Sequence, residues 1–319
     1  MITTLTPNPS VDRAIVVDDL RRGEVLRASS SRVDAGGKGV NVSRALASMG
    51  GETVVVLPSG GPEGALLETL LDGADVPRRT VAIDGSVRMN ISVLEPDGTT
   101  TKLNEPGPRL SAADADALLE AALEGTGEGS WVAGCGSLPP GAPDDLYARL
   151  IARARERGAR VAIDSSGAPY VAAVAAGPTL IKPNREELAE LVGRELDTLG
   201  AVIDCARELV ATGIELVAVS LGRDGAVLVT ADETVHARAI VTDPVSTVGA
   251  GDCMLAGLLF GLSRRDTEGG SLADALAEGV AWGAAAVRLP GTEVPKPADL
   301  DAVPVTVDPD PDRAMPLDD

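Results

Sequence analysis

From residue 111 onward the sequence alternates helical and strand-like patterns, and this alternation restricts the chain to an α/β architecture more tightly than any other feature. Strands are expected at 130–134, 160–164, 179–181 and 216–220, in a parallel sheet covered by helices on both faces. Each segment ends in small or polar residues: Gly136-Ser137, Asp164-Ser165-Ser166-Gly167, Lys182-Pro183-Asn184 and Ser220-Leu221-Gly222. Ligands of open α/β sheets bind beyond the carboxyl ends of the strands, so these polar ends are expected to converge on one cleft.

The first half of the chain adds a second element. Residues 1–6 read as a strand running into the turn Pro7-Asn8-Pro9. After Gly36-Gly37 an amphipathic helix carries Val42, Ala45, Leu46 and Met49 on one face, stops at Gly50-Gly51, and is followed by a strand from Thr53 to Leu57. Between Met89 and Leu103 the pattern becomes a hairpin turning at Pro96-Asp97-Gly98, and further polar strands are expected at 14–17 and 25–33. These predict a small sheet outside the main core, a lid inserted at about 11–34 and 86–104 of one domain over 1–303. The acidic, Pro-rich stretch 304–319 reads as a disordered tail.

Composition excludes several function classes. Aromatic residues are 2% against 44% hydrophobic, so the core must be built from Val, Leu, Ile and Ala. A net charge of -20 opposes binding to nucleic acid or an anionic membrane, and any bound phosphate must be gripped by local groups. Three cysteines without C-x-x-C spacing suit a reducing cytoplasm. The one histidine, His236, sits in what reads as an exposed strand with no partner at catalytic or metal-ligand spacing. The N-terminus has no basic region followed by an apolar run, and no segment reaches membrane-span length, so a cytoplasmic location is expected.

The most informative segment is Val245-Ser246-Thr247-Val248-Gly249-Ala250-Gly251-Asp252-Cys253-Met254, which opens a helical pattern. Small residues just before a helix let backbone N–H groups approach an anion at its positive end. Taken alone, Asp252 would be a capping carboxylate; beside an anion-binding turn it can also act as a general base. The chain has neither the G-x-x-x-x-G-K-[ST] of a P-loop nor a G-x-G-x-x-G after its first strand.

Gly249-Ala250-Gly251-Asp252 resembles the C-terminal signature of the phosphofructokinase B family within the ribokinase superfamily, and Ala35-Gly36-Gly37-Lys38-Gly39-Val40-Asn41-Val42 resembles its N-terminal one. Four more segments are similar to the sugar-phosphate branch: Thr6 to Asp12, Gly136 to Gly141, Lys182 to Leu188 and Ser220 to Ala226. The resemblance implies a ribokinase-like three-layer αβα sandwich with a mostly parallel central sheet and a small β-sheet lid. It implies ATP and Mg2+ as cofactors and Asp252 as base, with Gly249, Ala250 and Gly251 stabilising the transferring phosphoryl group. Asp12, Gly36, Gly37 and Asn41 would hold the sugar. Lys182, Asn184, Ser220, Gly222, Gly225, Thr247, Gly249 and Gly251 would face the nucleotide, and Asn184 and Glu187 would organise magnesium through water. Cys253 departs from the serine more usual after the catalytic Asp.

The substrate's own phosphate needs cations, and Arg88, Lys102 and Arg27 on the expected lid strands, Lys38 in its glycine turn and the Ser137 hydroxyl are the candidates. Each lid cation could equally be a solvated charge protecting a sheet edge. Within the family the pattern, including Asn104-Glu105-Pro106-Gly107, is most similar to bacterial 1-phosphofructokinases. That similarity implies phosphorylation of fructose 1-phosphate at the C6 hydroxyl. The alternatives are a 6-phosphofructokinase, a tagatose-6-phosphate kinase, or a non-catalytic sugar-phosphate sensor on the same fold. The partners implied are small molecules only, with a homodimer formed through the lid.

Overall fold

The computed structural model describes residues 1–317. Ten strands form the main sheet: β1 (Ile2–Leu5), β4 (Thr53–Ser59), β5 (Arg78–Ala82), β8 (Trp131–Cys135), β9 (Arg160–Asp164), β10 (Leu180–Ile181), β11 (Leu216–Ser220), β12 (Ala226–Val229), β13 (Thr234–Ala239) and β14 (Val305–Asp308). Their order is β14-β13-β12-β11-β10-β9-β8-β1-β4-β5. Every pair from β11 through β5 is parallel, while β12, β13 and β14 add antiparallel strands at one edge.

Successive buried residues of each strand enter opposite layers, because strand side chains alternate between faces. Val132, Ile163, Val217, Val219 and Val227 pack on one side with α3 (Ala112–Leu123), α4 (Leu146–Glu156), α5 (Gly167–Ala175), α6 (Arg185–Val192) and α7 (Leu199–Ala211). Trp131, Ala133, Ala162, Ala218 and Leu228 pack on the other with α1 (Lys38–Ser48), α8 (Ala250–Glu268) and α9 (Leu272–Val287). The helix α2 (Gly61–Gly73) covers Val55 and Leu57 of β4. This is the expected three-layer sandwich, and none of its described helices is long and apolar enough to cross a membrane.

The lid is a separate four-stranded sheet in the order β3 (Ser30–Gly36), β2 (Ser10–Val16), β6 (Arg88–Leu94), β7 (Thr100–Asn104). Its central pair, β2 and β6, is parallel, and both outer pairs are antiparallel. The strand expected at 25–33 begins later, at Ser30. Val25 is instead 89% exposed in a loop, and Arg27 lies in that loop and not on a strand.

Two further expectations are corrected. The stretch from 304 is ordered through residue 317: Val305–Asp308 pairs with β13, and the following residues strap the other helical layer. There Gly200 N–H donates to Arg313 O at 2.9 Å, Leu199 N–H to Met315 O at 3.0 Å, and Leu317 is 9% exposed. Pairing through backbone groups needs little apolar content, so composition did not reveal it. His236 is buried, since β12 and β14 flank its strand, and its Nε2 lies 2.7 Å from Asp224 O.

The start of α8 is positioned by unusually close packing against α9. A Cβ on Gly257 would sit 2.8 Å from Glu278 O and 2.8 Å from the Trp282 ring, and one on Gly279 would sit 2.9 Å from Met254 O. Alanine normally favours a helix over glycine by about 1 kcal/mol, but here the obstruction includes backbone. Gly257→Ala is therefore expected to destabilise the protein by about 1–3 kcal/mol in urea unfolding.

Candidate active site

Gly249 has φ 81, a left-handed conformation that a side chain would strain, and it turns the chain into α8. The first N–H groups of a helix have no intrahelical partner and carry partial positive charge. A Cβ on Gly251 would lie 3.5 Å from Lys182 Nζ, so the bare glycine brings a buried ammonium close to the same helix end. Backbone dipoles and a cation thus converge where an anion can be held.

Asp252 stands in the first turn of α8 at 8% exposure. Asn41 Nδ2 donates to its Oδ2 at 2.8 Å. Burial, and then the neighbouring Asp164 charge, push the Asp252 pKa up, while Asn41, Lys38 and Lys182 pull it down; the balance leaves it raised to about 6. A carboxylate so placed is ionised at neutral pH yet basic enough to accept a hydroxyl proton.

Beneath it lies a buried ion cluster. Asp164, at the end of β9 and 1% exposed, accepts from Lys38 Nζ at 2.5 Å, and Lys182 Nζ lies 3.0 Å from its other oxygen as an ion pair without hydrogen-bond alignment. Burial alone would raise the Asp164 pKa, but Lys182 and Lys38 outweigh it and hold the carboxylate below its usual range. Burial likewise opposes the Lys38 charge, and Asp164 with Glu187 more than compensates.

Glu187 approaches Lys38 from α6, with Oε1 3.7 Å from Nζ. Its other oxygen belongs to a capping box: Asn184 Oδ1 accepts from Glu187 N–H at 2.7 Å, and Glu187 Oε2 accepts from Asn184 N–H at 2.9 Å. The pair therefore serves as the helix cap while leaving Oε1 directed at the cluster. No group of three or more potential metal ligands occurs among the described residues. Glu187 Oε1 is the oxygen of this pair that the cap leaves free of a backbone hydrogen bond, and a cation held by so few protein oxygens would keep most of its water, as magnesium does.

On the lid side, Asp12 accepts from Ser10 Oγ at 2.6 Å and Asn90 Nδ2 at 3.0 Å. Its carboxyl group fills the space where a Gly36 side chain would stand. Arg88 donates to Asn8 O at 3.0 Å and Glu105 O at 3.1 Å, and Asn8 Nδ2 lies 3.5 Å from Ser137 Oγ. The strand register puts Arg88, Asn90 and Lys102 on the same lid face as Asp12. Arg27 stands exposed in its loop.

The structure thus brings Asp252, Asn41, Lys38, Lys182 and Glu187 together at the helix end, and Asp12, Gly36, Arg88 and Ser137 beside the lid. On the remaining side, Gly222 has open space where a side chain would stand, Thr247 is exposed, and Ser220 forms a parallel bridge with Asn184. Gly225 has a packing reason of its own, because a side chain there would strike Ala237 O on β13. Sequence reasoning missed Asn8, Asn90 and Arg44 and gave Asp164 no role. Asp164 left a signal as a carboxylate at a polar strand end, and Asn8 as part of the Thr6 to Asp12 segment.

The pfkB carbohydrate kinase family profile matches residues 7–299. The 1-phosphofructokinase of Rhodobacter capsulatus is 40% identical over 308 residues, covering 96% of each chain. The ATP-dependent 6-phosphofructokinase isozyme 2 of Mycobacterium tuberculosis H37Rv is 38% identical over 295 residues, 91% of this chain and 85% of the relative. The crystal structure of Escherichia coli phosphofructokinase-2 in complex with substrates and products superposes with a TM-score of 0.88 at 35% identity, covering 94% of this chain and 97% of that one.

The raised Asp252 pKa has a stability consequence. Its folded value of about 6 exceeds the ordinary 3.8, so folding opposes ionisation; the resulting penalty is absent below 3.8, grows as pH rises, and is full above about 6. Asp252→Asn removes the charge and is expected to raise Tm at pH 8 by more than at pH 5, as read by calorimetry.

Proposed function

The chain belongs to the pfkB family of carbohydrate kinases, and we propose that it transfers the γ-phosphoryl group of ATP to the C6 hydroxyl of fructose 1-phosphate, giving fructose 1,6-bisphosphate. The observation that carries this reading is the buried Asp252 carboxylate at the positive end of α8, with its pKa near 6 and Lys182 close by. The similarity to a relative named 1-phosphofructokinase supports the choice of sugar phosphate.

In this mechanism Asp12, the Gly36-Gly37 turn and Asn41 orient the sugar, while Arg88, Ser137 and Lys102 take its phosphate. The nucleotide lies along Ser220 to Gly225 and Thr247. Asp252 accepts the C6 hydroxyl proton as the oxygen forms its bond to the γ-phosphorus; the bond to the bridging oxygen breaks, and ADP leaves with the electron pair. The N–H groups around Gly249 to Gly251, with Lys38 and Lys182, stabilise the charge on the phosphoryl oxygens. Asn184 and Glu187 would hold magnesium through water, and the ion would offset phosphate charge.

A coupled ADP-release assay over fructose 1-phosphate, fructose 6-phosphate and tagatose 6-phosphate tests the reading. Fructose 1-phosphate is expected to be preferred, with an acid limb near pH 6, and Asp252→Asn is expected to lower kcat by roughly 10²- to 10⁴-fold. Preference for fructose 6-phosphate would instead favour the activity for which the M. tuberculosis relative is named.

The outer lid face supports a homodimer. Ile15, Ile91, Val93 and Leu103 occupy the face opposite Asp12, and Leu103 is 58% exposed. Sedimentation is expected to give a dimer that Leu103→Asp converts to monomer; a wild-type monomer at working concentration would count against it.

A further inference from the structure

Asn41 presents an amide whose two ends are nearly alike in shape and opposite in chemistry. With Nδ2 toward Asp252 it donates to the carboxylate; reversed, its oxygen would face another acceptor, and Asp252 would have to keep a proton to satisfy it. A base holding that proton cannot take one from the sugar. The orientation of this amide therefore decides whether Asp252 is available.

One turn along α1, Arg44 NH1 donates to Asn41 Oδ1 at 3.3 Å. A guanidinium has donors only, so it accepts only the oxygen end of the amide. Arg44 NH1 is also within bonding distance of two carbonyls, Ala35 O at the end of the lid strand β3 at 3.1 Å and Thr292 O after α9 at 3.1 Å. The loop bearing Thr292 is tied on both sides: Arg32 of β3 donates to Pro290 O at 3.0 Å and pairs with Glu293, and Ser246 Oγ donates to Gly291 O at 3.2 Å. Arg44 is thus fixed from the lid and from the segment leading to Gly249.

We infer that Arg44 is a positioning residue for catalysis, which holds the Asn41 amide in the one orientation that leaves Asp252 free to accept the substrate proton. The inference rests on the reading of Asp252 as base. The charged groups influencing Asp252 are Asp164 from β9, Lys38 from α1 and Lys182 after β10, whereas Arg44 feels Asp34 and Arg32 of β3, Asp12 of β2 and Cys253 beside Asp252, so the Asn41 background separates the route through the amide from a change in field.

The test is a mutant cycle on the full chain, with wild-type turnover of fructose 1-phosphate measured first. Failure there overturns the functional reading, whereas the cycle tests only Arg44. Arg44→Met is expected to lower kcat by roughly 10- to 100-fold, to move the acid limb of kcat to higher pH, and to leave the ATP KM unchanged. In an Asn41→Ala background the same substitution should have no further effect on kcat. If Arg44→Met does not fold, Arg44→Lys carries the same cycle, its shorter side chain withdrawing from Asn41 while keeping the cation. Equal losses with and without Asn41, or a loss of kcat at every pH with the acid limb unmoved, would overturn the inference and leave Arg44 as a brace of the fold.

Discussion

An uncompensated carboxylate buried like Asp164 would cost several kcal/mol, and two lysines from different parts of the chain remove that cost. Lys38 comes from the start of α1 and Lys182 from just after β10, so satisfying one buried charge aligns the turn that opens α1 with the chain leaving β10. The cluster also sets the field felt by Asp252. Burial and then Asp164 raise the basicity of that carboxylate while Asn41 and the two lysines restrain it, and the outcome is a group poised just below neutrality.

Rigidity reaches this cluster from two directions. The glycine-mediated contact of α8 with α9 fixes the helix end from below. Hydrogen bonds and an ion pair from β3 to the loop after α9 fix it from the lid side. A proton acceptor works only if the attacking oxygen, the phosphorus and the base keep their alignment; the first set of contacts holds helix backbone directly, and the second ties the Arg32 side chain to the Pro290 carbonyl and to Glu293.

What could be read in the sequence was whatever is encoded locally. Gly249 to Asp252, the Lys38 turn and the Asn184/Glu187 cap each lie within one short segment, and the strand ends of the sheet announced themselves by polarity. Asn90 was invisible because its partner is brought to it by folding, Asp12 lying 78 residues away, and Arg44, although one turn from Asn41, takes its fixed position from Thr292, 248 residues away. The edge strands failed for a related reason. Val305–Asp308 alternates valine with polar residues and turns Val305 and Val307 to the core, but it is four residues long inside a Pro- and Asp-rich stretch that hid it; its pairing to β13 in turn explains why His236 is buried.

The parallel pairing of β2 with β6 governs how the lid comes into being. A parallel pair cannot close through a tight turn, and here the chain must lay down β3, α1, β4, α2 and β5 between the two strands. The middle seam of the lid is therefore a contact between residues far apart in sequence, the slow kind in folding. Without that seam the chain holds two separate hairpins, β2 with β3 and β6 with β7, and no four-stranded cover.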